Sequence, residues 1–95
     1  MNVIINMIEV YRDNPNQESY IKIHKQIDDY YNKQRKYVDE KFNEVCNVFK
    51  DSLNKGYITK RFHDKQIQKY EEVYNEECGK IHVEFSYLKN ILNSI

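Results

Sequence analysis

The chain has 95 residues, enough for one small domain. At this size only about 60–65% of the unfolded surface is buried on folding, so stability is thin and association with another chain is a common remedy. Fifteen Lys and Arg balance fifteen Asp and Glu, and a formal net charge of zero argues against a dedicated duplex-DNA binder with a broad basic face. The longest apolar run, Val3-Ile4-Ile5, falls far short of the ~20 residues that cross a bilayer.

Residues 1–13, "MNVIINMIEVYRD", come first. Ile4, Ile8 and Tyr11, with Met7, make a helical face, whereas Val3, Ile5 and Met7 would make one face of a strand. A short helix is expected, because the rest of the chain offers no strand to pair with. The segment lacks a basic n-region, and Asn2, Asn6 and Glu9 interrupt its apolar residues, so it does not read as a signal peptide. The expectation is a cytoplasmic protein in which Cys46 and Cys78 stay reduced. Asn, Lys, Ile and Tyr are abundant while Ala and Trp are absent. AT-rich codons favour that set, which accounts for the nine tyrosines without selection for stacking.

A long helix is predicted next, over residues 15–55. Asn14 reads as its N-cap, Pro15 as the first helical residue and Gln17 as the capping-box partner. Its apolar residues fall at Ile23, Ile27, Tyr30, Tyr31, Tyr37, Val38, Phe42, Val45, Phe49 and Leu53. Steps of three and four dominate, as on one face of a helix. In "NKGYIT", Gly56 reads as the left-handed residue that ends this helix and Thr59 as the N-cap of the next. A third helix is predicted over 60–94. Ile67, Tyr74, Ile81, Leu88 and Ile95 recur every seven residues there, the pattern of a helix packed along its length against another.

A four-residue turn makes the two long helices antiparallel neighbours. That register sets Tyr20 opposite Ile95, Ile27 opposite Leu88 and Phe42 near Val73, with the short first helix across the open end. Cys46 and Cys78 then lie roughly 13 Å apart along the axis, too far for a disulfide. The expected fold is therefore all-α, an antiparallel helical hairpin with a short N-terminal helix. Near the turn the hairpin has only two layers, yet Phe42, Val45, Phe49, Leu53, Tyr57, Ile58, Phe62 and Ile67 crowd there. Two helices cannot bury them all, so a homodimer in a four-helix arrangement, or a partner protein in the same place, is expected.

The stretch "DSLNKGYITKRF", residues 51–62, has the outline of a calcium loop, with Asp51 first and Gly56 sixth. Leu53, Lys55 and Phe62 stand at positions three, five and twelve, where oxygen ligands are required, so the likeness is one of turn chemistry only. Cys78 and His82 share a helix face with zinc spacing, but Lys33, Gln34, Arg35 and Lys36 lie level with them and offer no further ligands. No Glu-x-x-His pair, Gly-rich phosphate loop, HExxH or GxSxG occurs. No enzyme activity, metal or cofactor is expected.

Two surface features remain. "NKQRK" (32–36) interrupts the apolar stripe level with "CGKIH" (78–82), suggesting a kink or close helix crossing at Gly79, or a polar waist of Arg35, Lys36, Gly79 and His82 for a small anion or partner. Residues 50–69 carry a net charge of +4 and residues 70–85 a net charge of −4. Segregated charge of this kind selects a partner's orientation. Phe49, Leu53, Tyr57, Lys60, Arg61, Phe62 and Lys65 are the candidate partner-binding residues. The expected function is a protein–protein interaction module that regulates or inhibits a larger protein. Small phage, plasmid and other mobile-element inhibitors share this build, an analogy of architecture alone. The alternative is a nucleic-acid accessory protein using the basic tip, with Tyr57, Phe62 and His63 stacking on single strands. In length and in its mid-chain turn the chain also resembles the small WXG-type export proteins, but "NKGYIT" has no Trp-x-Gly and no residue carries that likeness.

Overall fold

The computed structural model describes residues 2–95. Among the described residues the only regular elements are three helices: α1 (Asn2–Asp13), α2 (Gln17–Asn54) and α3 (Lys60–Asn93). The N-terminal segment is thus helical, as its Ile4–Ile8–Tyr11 spacing predicts, and no helix is long and apolar enough to cross a membrane.

The start of α2 departs from the sequence expectation. The cap is Asn16, whose Oδ1 accepts the Ser19 N–H at 2.8 Å, and Pro15 lies outside the helix. Asn14 instead closes the end of α1, its N–H bonded to the Val10 carbonyl at 3.0 Å. The turn after α2 follows expectation. Gly56 has φ of 76°, its N–H reaches the Leu53 carbonyl at 3.1 Å, and the Tyr57 N–H reaches the Ser52 carbonyl at 2.9 Å. These two bonds form a Schellman motif, which satisfies the last carbonyls of α2. Thr59 then caps α3, its Oγ1 accepting the Phe62 N–H at 3.1 Å.

The chain divides into two compact units. Unit 1 contains the described residues up to Gln34 together with Ile81–Ile95. Here α1, the first half of α2 and the last part of α3 share a core of Ile4, Ile8, Ile23, Ile27, Leu88 and Leu92, each at most 4% exposed. Each helix contributes two residues one turn apart, so three apolar stripes converge. Around that core, Tyr20 donates to the Asn93 Oδ1 at 2.8 Å and Tyr31 packs on Phe85 with ring centroids 4.4 Å apart. Tyr30 donates to the Glu84 carboxylate at 3.0 Å. Lys89 bridges the Asp28 carboxylate, at 3.0 Å, and His24 Nδ1.

Unit 2, Arg35–Lys80, contains the second half of α2, the turn and the first part of α3. Its two helical segments touch through rings: Phe42 stacks on Tyr74 at 4.8 Å and Phe49 meets Tyr70 at 5.8 Å. Tyr74 also donates to Asp39, and Arg35 reaches the same phenol oxygen at 3.5 Å. Among the described residues every buried side chain belongs to unit 1; unit 2 has none.

Candidate functional site

The unburied half is where the sequence placed its candidates. Phe49 and Leu53 are half-buried, Phe49 against Tyr70. Tyr57, Lys60, Arg61, Phe62 and Lys65 are exposed. Tyr57 follows Gly56 directly, and the Schellman turn that bonds its backbone leaves the ring 77% exposed. All seven lie within unit 2.

The waist residues are not gathered in the same way. Arg35, Lys36 and Gly79 belong to unit 2, and His82 belongs to unit 1. Arg35 is turned onto Tyr74 and Asp39, and Lys36 stands 4.0 Å from Glu40 on its own helix. Gly79 is neither a left-handed residue nor a close crossing. It continues α3, and a Cβ built on it meets no heavy atom within 4 Å. The sequence expectation of a tight approach there is corrected by that open space. Cys46 and Cys78 are free and half-buried.

A stripe that meets the predicted set at Phe62 was not singled out as a site. Tyr37 is 59% exposed, Val48 64%, Val73 48% and Phe62 47%, and Tyr70 is exposed as well. On α2, positions 37, 41, 45 and 48 share a face; on α3, positions 62, 66, 69, 70, 73 and 77 do. The two faces border an apolar groove of about 280 Å³ lined by Tyr37, Lys41, Phe42, Tyr70, Val73 and Glu77 among others. The sequence signal was present: Tyr37 and Val48 sit one step off the Val38–Phe42–Val45–Phe49 stripe. Such widening of an apolar face beyond one contact stripe marks a second surface to cover.

Charge frames the groove. Lys60 and Arg61 occupy the first turn of α3, which has no acidic residue. Cations there oppose the helix dipole, at about 0.3–1 kcal/mol each when exposed. Among the described residues Lys60, Arg61, Lys65 and Lys69 make no ion pair, nor do Glu71 and Glu72. Glu76 and Glu77 meet only Lys80 of their own helix, at 3.8 and 3.4 Å, and all three are well exposed. Exposed pairs within a helix hold little energy.

The polar clusters serve to join helices. In unit 2, Tyr74 lies between Asp39, Arg35 and Cys78; its hydrogen bond to Asp39, then that to Cys78, then burial raise its pKa, against an opposing contribution from Arg35. In unit 1, burial first and then the hydrogen bond and charge of Glu84 raise the pKa of Tyr30. Among the described residues no three His, Cys, Asp or Glu side chains group closely enough to hold a metal ion. In comparison with known proteins, the chain matches no family model, no curated protein and no solved structure.

Proposed function

We propose that this chain is a non-enzymatic interaction module that docks another protein on the apolar face of unit 2, and that docking regulates or inhibits a larger partner. α2 and α3 then act as the arms of one antiparallel hairpin, α1 consolidates the end away from the turn, and the turn end is the working end. One observation carries this: unit 2 has no buried side chain, and Tyr37, Tyr70 and Val73 stand exposed around an apolar groove there, whereas the exposed apolar residues of unit 1 (Val3, Val10, Ile21, Val83, Tyr87 and Ile95) accompany a buried core. An exposed apolar groove with no core beneath it is a common mark of an interaction site. A non-catalytic role is supported by where the polar groups go. Tyr74, Asp39 and Arg35, like Tyr30 and Glu84, are engaged with one another across helices.

The experiment is affinity purification of the tagged full chain from its native host, beside the Val73→Glu variant, with masses measured under native conditions. A partner retained by the wild type and lost by the variant supports the proposal. Retention unaffected by Val73→Glu, or no retained protein and no self-association, overturns it.

A second proposal, single-stranded nucleic-acid binding at the tip, draws support from Tyr57 and Phe62 standing exposed among the unpaired cations Lys60, Arg61 and Lys65. It requires binding that weakens steeply with salt and that is lost when the three cations become Glu. Absence of binding at low salt removes it.

A further inference from the structure

We infer that the occupant of the unit 2 groove is a second copy of this chain, docked antiparallel about a two-fold axis that passes beside Phe42 and Tyr70–Val73. The inference rests on the interaction-module proposal: the groove takes a second copy, and it is the dimer that meets any larger partner.

Two observations converge on the same axis. The first is charge. On the exposed face of α3, Lys65 and Lys69 precede Val73, and Glu76 and Glu77 follow it. These positions fall at helical spacings of three, four and eight, so they line one side of the helix. Among the described residues the cations make no ion pair, and the carboxylates meet only Lys80. The wider segments repeat the pattern, +4 over residues 50–69 and −4 over residues 70–85. A two-fold axis brings residue i against j and j against i. An axis level with Tyr70–Val73 therefore sets Lys65 of each copy against Glu76 and Glu77 of the other, twice per dimer. A parallel pairing would instead stack plus on plus and minus on minus.

The second observation is the apolar pattern. Phe42 lies level with Tyr74 through their stacked rings. Tyr37, which lines the groove, and Val48, eleven residues on and on the same side of α2, flank Phe42 and are both exposed. Reversal about the axis places Tyr37 of one copy level with Val48 of the other. On α3 the same reversal brings Tyr70 to within about one turn of Val73. The four exposed apolar side chains thus fall near their counterparts, to within about a turn, about the axis that the charges select, and such a surface fits a second copy.

The test uses the full chain. Its mass is followed by light scattering and native mass spectrometry over a range of concentrations at low and high salt. A dimer is expected, and it weakens as salt rises, because the rim pairs are screened. The double variants Lys65→Glu/Lys69→Glu and Glu76→Lys/Glu77→Lys should each dimerise at least about tenfold more weakly, since every reversal counts twice across the axis. An equimolar mixture of the two should recover the dimer. All four positions are exposed, so circular dichroism should show unchanged helicity in each variant. A dimer that tightens with salt overturns the antiparallel pairing. A dimer indifferent to Val73→Glu overturns the choice of face. A chain that stays monomeric while Val73→Glu abolishes capture of a host protein overturns the second copy as occupant but leaves the interaction module standing. If mass and capture are both unaffected by Val73→Glu, both proposals fall.

Discussion

Gly56 and Gly79, the two glycines of the chain, should respond to alanine with opposite signs. Gly56 holds a φ of 76°. An L side chain in the left-handed region costs roughly 1–2 kcal/mol, so Gly56→Ala should destabilise by about 1 kcal/mol once the lost freedom of the unfolded chain is subtracted. Gly79 lies inside α3 at ordinary helical angles with open space around its added Cβ. There Gly→Ala gains the full propensity difference, about 0.8–1.0 kcal/mol. For a domain this small, 1 kcal/mol moves Tm by roughly 4–8 °C. Thermal unfolding by circular dichroism at one fixed concentration should therefore show Gly79→Ala melting several degrees above wild type and Gly56→Ala several degrees below. The two sites share no contacting side chain, so the double variant should return close to wild type. A Gly79→Ala variant that melts lower would refute this reasoning, since it would mean that another surface fills the space beside Gly79 in solution.

Ile27 is wholly buried, and Ile27→Ala should cost about 2–5 kcal/mol by urea unfolding, whereas Val48→Ala in the monomer should stay within about 0.5 kcal/mol; equal costs would contradict the one-sided core. Asn16→Ala should destabilise by about 1 kcal/mol and Asn14→Ala by clearly less, which separates the observed cap from the one that spacing suggests. The phenols of Tyr30 and Tyr74 have pKa values raised above 10.0, so each binds its proton more tightly folded than unfolded. Their contribution is complete below pH 10 and is lost as pH rises through the folded value. The urea midpoint should fall above pH 10, with a shallower slope for Tyr30→Phe/Tyr74→Phe; an identical slope would exclude these two groups as the cause.

The helices were legible because their signals are local. Of the seven-residue repeat, Ile67, Tyr74 and Ile81 are half-buried and Leu88 is buried, while Ile95 lies beyond α3 and is exposed; Gly56 and Thr59 each specify one backbone geometry. The misplaced cap has an equally local cause. Two asparagines flank Pro15, either of which can cap; in the structure Asn14 closes α1 and Asn16 caps α2, a division of roles that spacing alone does not give. Gly79 misled because a glycine in a helix suggests a close neighbour, and only coordinates reveal open space. The groove face was half legible. Crowding of apolar residues near the turn signalled surplus surface, but assigning it to Tyr37, Val48, Tyr70 and Val73 needed the rotation of each helix about its own axis. A spacing pattern fixes that rotation only to within a residue or so.

The phenol–carboxylate bonds have a consequence beyond holding helices together. Apolar stripes tolerate slip, because a leucine moved one residue along a greasy seam still finds a neighbour. A hydrogen bond does not: one residue of helix is 1.5 Å, and that displacement exceeds the distance window of an O–H···O bond. Tyr30 on Glu84 in one unit and Tyr74 on Asp39 in the other therefore act as detents. They turn a sliding contact between two long helices into an indexed one, and in unit 2, with no buried core to set the position, the Tyr74 detent fixes which side chains end up facing outward together.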